Sequence, residues 1–127
     1  MANNKKIEKI NLSEKELLNQ GLKFHRAGDF GAAEKIYRQI YMQNPACADV
    51  FHLSGLILYH FGSFESAIYW INRAISLNNK APQYFYNKGL IFLDLEKAKE
   101  AKECFGLALQ KDADYEPVKK ILKELKK

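Results

Sequence analysis

Apolar positions along this 127-residue chain recur in columns spaced 34 residues apart. Gly21, Gly55 and Gly89 form one column, and Ala33, Ala67 and Ala101 keep the same step 12 residues behind them. A large apolar residue follows each glycine by three positions (Phe24, Leu58, Phe92) and each alanine by four (Tyr37, Ile71, Phe105). Ile40, Ala74 and Ala108 make a further column. A fixed period of this length marks a chain built by copying one supersecondary unit. Gly28-Asp29-Phe30 and Gly62-Ser63-Phe64 fall between the glycine and alanine columns as turns, so each unit reads as helix, turn, helix. The units run over about 14–47, 48–81 and 82–115. Small residues in the Gly/Ala column let the two antiparallel helices approach closely, and the bulky columns fill the volume on either side.

Helix ends are marked by capping chemistry. Ser13 followed by Glu16 is a capping box, in which the hydroxyl and the carboxylate each accept from a free backbone N–H. Asp29 and Ser63 sit where the second helices need N-caps. Pro82 suits a first helical turn, where its missing N–H costs nothing. After the third unit, Asp114-Tyr115-Glu116-Pro117 opens a seventh helix, over about 115–126, with Val118, Ile121, Leu122 and Leu125 on one face. Lysine and glutamate fill most of its other positions, as a solenoid's terminal cap requires for solubility. Residues 1–12 lack periodicity and read as a flexible lead-in. In the third unit Glu96 replaces the turn glycine and Ala98 replaces Phe30 and Phe64, so this turn is expected to be the least regular of the three.

These columns resemble the tetratricopeptide repeat: an early Gly, an aromatic, a later Ala, an aromatic and a closing Pro. The resemblance covers about residues 13–127, with the family's first aromatic position held by Leu17, Phe51 and Phe85. The closing proline is present as Pro45 and replaced by Asn79 and Ala113. It implies an all-α, right-handed superhelical solenoid of three helix-turn-helix units with a capping helix. It also implies a non-enzymatic protein–protein interaction module, scaffold or chaperone-like, whose first helices line a concave groove. The groove positions of the family correspond to Lys15, Leu18, Leu22 and His25, then Asp49, His52, Leu56 and Tyr59, then Gln83, Tyr86, Leu90 and Leu93. Of these, Leu18, Leu22, His25, His52, Leu56, Tyr59, Tyr86, Leu90 and Leu93 are the candidate peptide-binding residues. Amphipathic rings suit a half-wet groove. The leucines of the ninth position are equally suited to packing between neighbouring first helices. Charging of His25 and His52 is expected to weaken apolar-ligand binding below about pH 6. Family members that clamp acidic chaperone tails use Lys, Asn and Arg at positions that are Leu18, Leu22, Leu53, Gln83 and Asn87 here. A dicarboxylate would find no cation there. The groove is more similar to those of small bacterial type III secretion chaperones and of repeat arrays at the N-terminus of sugar transferases.

Charge narrows the partner. The formal net charge is +5, but residues 1–12 hold three lysines and one glutamate, and residues 116–127 hold five lysines and two glutamates. The stretch between them is neutral, whereas a nucleic-acid groove gathers its cations on one face with arginine prominent. Only Arg26, Arg38 and Arg73 are present. No specific nucleic acid is therefore expected. No apolar run approaches the roughly 18 residues of a membrane span, and no apolar stretch follows Lys5 and Lys6 as in a signal peptide. Cys47 and Cys104 lie in different units outside any CxxC, which suits reduced structural thiols in a cytoplasmic, self-contained chain. No phosphate loop, nucleophile elbow or HExxH occurs, so no catalytic residue, cofactor or metal is assigned. His52 and His60, eight residues apart, would be separated by about 12 Å of helix rise, too far to share a metal.

The second helix of the middle unit breaks the repeat. Glu34 and Lys102, Lys35 and Glu103 place charges where Ile68 and Tyr69 stand, beside Trp70, in the run Ala67-Ile68-Tyr69-Trp70-Ile71. A helix apolar on nearly every side is normally covered on every side. Ile68, Tyr69 and Trp70 are thus candidates for a convex interface, either a weak homodimer or a second partner site, which sedimentation at rising concentration would test. The competing readings are a self-associating assembly unit and a partner-recognition subunit for a separate enzyme.

Overall fold

A computed structural model describes residues 12–127; the lead-in assigned to residues 1–12 lies almost wholly outside the described residues. Seven helices follow one another: α1 (Glu14–Arg26), α2 (Phe30–Gln43), α3 (Ala48–His60), α4 (Phe64–Leu77), α5 (Pro82–Asp94), α6 (Ala98–Lys111) and α7 (Glu116–Leu125). They pair as α1/α2, α3/α4 and α5/α6, each pair stacks on the next, and α7 closes the end. Among the described residues the architecture is an all-α solenoid of three helix pairs and a closing helix.

The small-residue column explains how closely each pair packs. A methyl group added at Gly21 would lie 2.6 Å from Tyr37, at Gly55 2.9 Å from Ile71, and at Gly89 2.4 Å from Phe105. Ala33, Ala67 and Ala101, opposite these glycines, are fully buried. Two clusters form the core. One runs from Leu17 through Tyr37, Phe51 and Ile71 to Tyr84 and Ile91, and the other joins Phe85, Phe105 and Val118. Helix α5 contributes to both and ties the last unit to the first two. Phe24 departs from its column: it is 39 % exposed, while Leu58 and Phe92 are half-buried. It belongs to the first described helix, and neither core cluster includes it.

All three intra-unit turns are the same Schellman motif. The N–H of Gly28, Gly62 and Glu96 donates to the carbonyl of His25, Tyr59 and Leu93, and the next N–H to that of Phe24, Leu58 and Phe92. The third turn is therefore not irregular, contrary to the sequence expectation. Glu96 adopts a φ of 59° where Gly28 and Gly62 adopt 80°. The departure from the repeat appears as backbone strain, about 1–2 kcal/mol for a residue with a Cβ.

Capping follows the sequence with one exception. The Ser13–Glu16 box is complete, at 3.1 and 3.0 Å, and Asp29 accepts from Ala32 N–H at 3.2 Å. Ser63 occupies its N-cap position without a side-chain bond. Between units, a second device recurs whether or not the closing proline is present. Asn44, Asn78 and Asp112, again one period apart, each accept from the N–H two residues on, at 3.1, 3.0 and 3.0 Å. Such Asx turns shape the loop, and in the second and third units they do so without a proline's fixed φ.

Candidate groove and its polar seam

Helices α3 and α5, the first helices of the second and third units, touch across the unit boundary. Across α3 and α5, three side-chain bonds join residues 35 positions apart. Tyr84 Oη donates to Asp49, Asn87 Nδ2 and His52 Nε2 stand 2.9 Å apart, and Tyr59 Oη donates to Asp94 Oδ2 at 2.5 Å. Burial raises the Tyr59 and Tyr84 hydroxyls well above the usual phenol range, and the bonds to Asp94 and Asp49 add to it.

His52 is a structural member of this seam rather than an open groove residue. It is 6 % exposed, and its ring packs on Tyr84 with centroids 4.6 Å apart. Burial pushes its pKa down to about 4, so the expected charging of this imidazole near pH 6 is corrected. His25 is half-buried, 2.9 Å from the Tyr37 hydroxyl through Nδ1, and edge-on to Phe30 at 5.5 Å. Burial, then the neighbouring His60 and Arg26, lower its pKa.

The remaining groove candidates fall into two depressions. His25, Leu56 and Tyr59 line a cleft of about 500 Å³ with Phe30, His60, Gly62, Phe64 and Asp94. Tyr86 borders a second one of about 400 Å³, whose far wall is α7: Glu116, Pro117, Lys120, Ile121 and Glu124. Its ring is edge-on to Tyr115 at 5.9 Å and tilted over Phe105 at 6.2 Å. Tyr59 and Tyr86 thus serve separate depressions. Leu18, Leu22, Leu56, Leu90 and Leu93 are all half-buried; Leu18 and Leu56 pack on the first core cluster, Leu90 and Leu93 on the second.

The sequence reading missed Asp94, Phe30 and Phe64 as cleft residues, and the capping helix as a groove wall. One signal was available. Asp94 stands where earlier units have Arg26 and His60, so the third unit alone places a carboxylate there.

On the convex side, Ile68 is half-buried against the core. Trp70 stacks on Phe51 at 5.5 Å and tilts against Tyr41 at 5.9 Å, with the Arg73 guanidinium 4.5 Å from the Phe51 ring. Trp70 is therefore half-buried, with part of its ring already engaged by the core. Tyr69, 60 % exposed and edge-on to Trp70, is what that patch offers to solvent. Both cysteines are free: Cys104 is buried, Cys47 half-buried, and burial raises both thiol pKa values. Among the described residues no group of three His, Cys, Asp or Glu could hold a metal ion, and no helix is long and apolar enough to cross a membrane.

Comparison with known proteins agrees with the repeat geometry. The family described as anaphase-promoting complex, cyclosome, subunit 3 matches residues 26–108. An uncharacterized protein of Methanocaldococcus jannaschii is 34% identical over 71 residues, 54% of this chain and 83% of that protein. Among solved structures, a mutant of the Thermobaculum terrenum O-GlcNAc transferase is 25% identical with a TM-score of 0.75, over 80% of this chain and 20% of that one. This chain thus spans a fifth of that enzyme. The type III secretion chaperone SycD of Yersinia enterocolitica, in complex with a peptide of the translocator YopD, is 16% identical with a TM-score of 0.75, over 88% of this chain and 86% of that one. The latter likeness is one of fold. With the three glycine-alanine columns, the seven helices and a family match over most of the chain, this protein belongs to the tetratricopeptide-type family described as anaphase-promoting complex, cyclosome, subunit 3.

Proposed function

We propose that the chain is a non-enzymatic interaction module, scaffold or chaperone-like, that holds an extended peptide segment of low overall charge along α1, α3 and α5. The observation that carries this reading is the set of half-buried leucines and tyrosines on these helices beside two open depressions, one lined by Tyr59 and the other by Tyr86. Half-buried apolar side chains beside tyrosine hydroxyls can take up side chains of an extended segment while leaving its backbone partly solvated. Support also comes from the SycD structure, in which a chain of this fold is seen with a peptide. Family membership contributes the architecture; the partner follows from the chemistry of the groove. The neutral balance of residues 13–115 favours a protein segment over nucleic acid, and a cytoplasmic setting suits the two free thiols.

Selection of a random-peptide display library on the purified chain tests the reading. Enriched peptides should share an apolar or aromatic pattern. Tyr59→Ala and Tyr86→Ala should each weaken their binding by about 1–3 kcal/mol without loss of helical content. Salt should have little effect, because few charges line the face. Failure to enrich any pattern, or enrichment indifferent to both substitutions, would reject the groove as the binding surface.

A further inference from the structure

We propose that the cleft beside the intra-unit turns is a subsite for one basic side chain of the bound segment, preferably an arginine, held by Asp94 between aromatic rings. The inference rests on the groove reading above and names what one part of that groove selects. Four residues argue for it. Phe30 approaches from the start of α2, Phe64 from the start of α4 and Tyr59 from the end of α3, so three rings from three helices line one opening. Asp94, at the end of α5, is the formally charged residue among those lining it.

The chemistry of this set is that of a cation site. Aromatic faces carry negative quadrupole density and attract an ammonium or guanidinium placed over them. A carboxylate adds a charge-assisted hydrogen bond, which is shorter and stronger than a neutral one. The Tyr59 hydroxyl donates to Oδ2 of Asp94 at 2.5 Å, so one carboxylate oxygen is already engaged. Its other oxygen is left to accept from a ligand. An apolar side chain alone would desolvate Asp94 with nothing in return, and an anion would meet its charge directly. A planar guanidinium fits better than an ammonium because it stacks on rings while donating in its own plane. His25 and His60 also line the cleft, and burial favours the uncharged form of His25, which keeps that wall from repelling a cation at neutral pH.

The repeat supplies an internal comparison. The positions equivalent to Asp94 are Arg26 and His60, and the residues equivalent to Phe64 are Phe30 and Ala98. Only between the second and third units do a ring at the turn and a carboxylate on the next first helix come together. The subsite thus arises where the periodicity is broken, at one place along the groove, and it would fix the register of a segment that otherwise makes repetitive apolar contacts.

The test uses N-acetyl-arginine amide and its neutral isostere N-acetyl-citrulline amide, titrated into the full chain with chemical shifts of the Tyr59, Phe64 and His25 side chains as readout. Arginine amide should give saturable shifts there, with an affinity around the millimolar level expected of a single residue, and about tenfold tighter than citrulline amide. Asp94→Asn should reduce arginine to the citrulline level, Asp94→Glu should retain part of the preference, and Phe64→Leu should weaken both probes severalfold. Asp94 is exposed, so the fold is expected to survive these changes, and far-ultraviolet circular dichroism verifies it. Equal binding of the two probes, shifts centred on Tyr86 instead, or indifference to Asp94→Asn would overturn the proposal. A free residue as probe separates the two hypotheses. If it fails while library peptides still bind through Tyr59 and Tyr86, the groove stands and the basic subsite falls.

Discussion

The two seams between neighbouring first helices share one repeat plan and differ in their hydrogen bonding. Between α3 and α5 the partners 35 residues apart are Asp49 with Tyr84, His52 with Asn87 and Tyr59 with Asp94, each hydrogen-bonded. One period earlier, between α1 and α3, the same three places hold Lys15 and Val50, Leu18 and Leu53, His25 and His60. Apolar contacts are non-directional and tolerate small slips, whereas hydrogen-bonded polar pairs satisfy one another in a single register and are costly when parted. The second and third units should therefore be locked against each other, and the first more free to shift on the second.

The comparison breaks first at His52. His52→Ala should cost about 2–4 kcal/mol in urea unfolding, from lost packing on Tyr84 and an orphaned Asn87, against about 1–2 kcal/mol for the half-buried Leu18→Ala. Equal costs would mean that the polar bonds add nothing to the seam. Acid probes the same residue without mutation. A His52 pKa held near 4 in the fold, against about 6.5 unfolded, means that the unfolded state takes up the proton first. Stability should be constant above about pH 6.5 and fall as pH drops toward 4, by up to about 3 kcal/mol. His25, also lowered, contributes in the same direction, so a His52→Leu chain should show a shallower decline rather than none. A decline of unchanged slope in that variant would remove His52 as its source.

The smallest effect sharpens a second contrast, that of the third turn with the first two. Glu96→Gly should raise stability by about 0.5–1 kcal/mol, relief of left-handed strain less the added freedom of glycine in the unfolded chain. Gly28→Glu, the reverse exchange in the first turn, should lose a similar amount. Matching thermal midpoints for wild type and Glu96→Gly would show that the strain is relieved elsewhere.

How much of this was legible in the residues depends on distance along the chain. The glycine and alanine columns, the Ser13 box and the Asp29 cap are statements about neighbours within one helix or one hairpin, and the structure follows them. The Asn44, Asn78 and Asp112 column is equally local, since each side chain bonds the N–H two residues on. What could not be read were partnerships across units. Trp70 looked like part of an unbroken surface run until Phe51 and Tyr41 appeared against it. Tyr86 looked like a companion of Tyr59 until α7 closed over one side of it.

The chain by itself determined the repeat, the number of helices after residue 12 and the faces they bury, because a 34-residue period and helical spacing are local and one-dimensional. Tertiary structure decided which polar groups meet across the groove. The repeat is 34 but the bonded partners stand 35 apart. That offset belongs to how side chains of successive units interlock, a property of two surfaces together. Whether a tyrosine faces a leucine, a histidine or an aspartate follows from it.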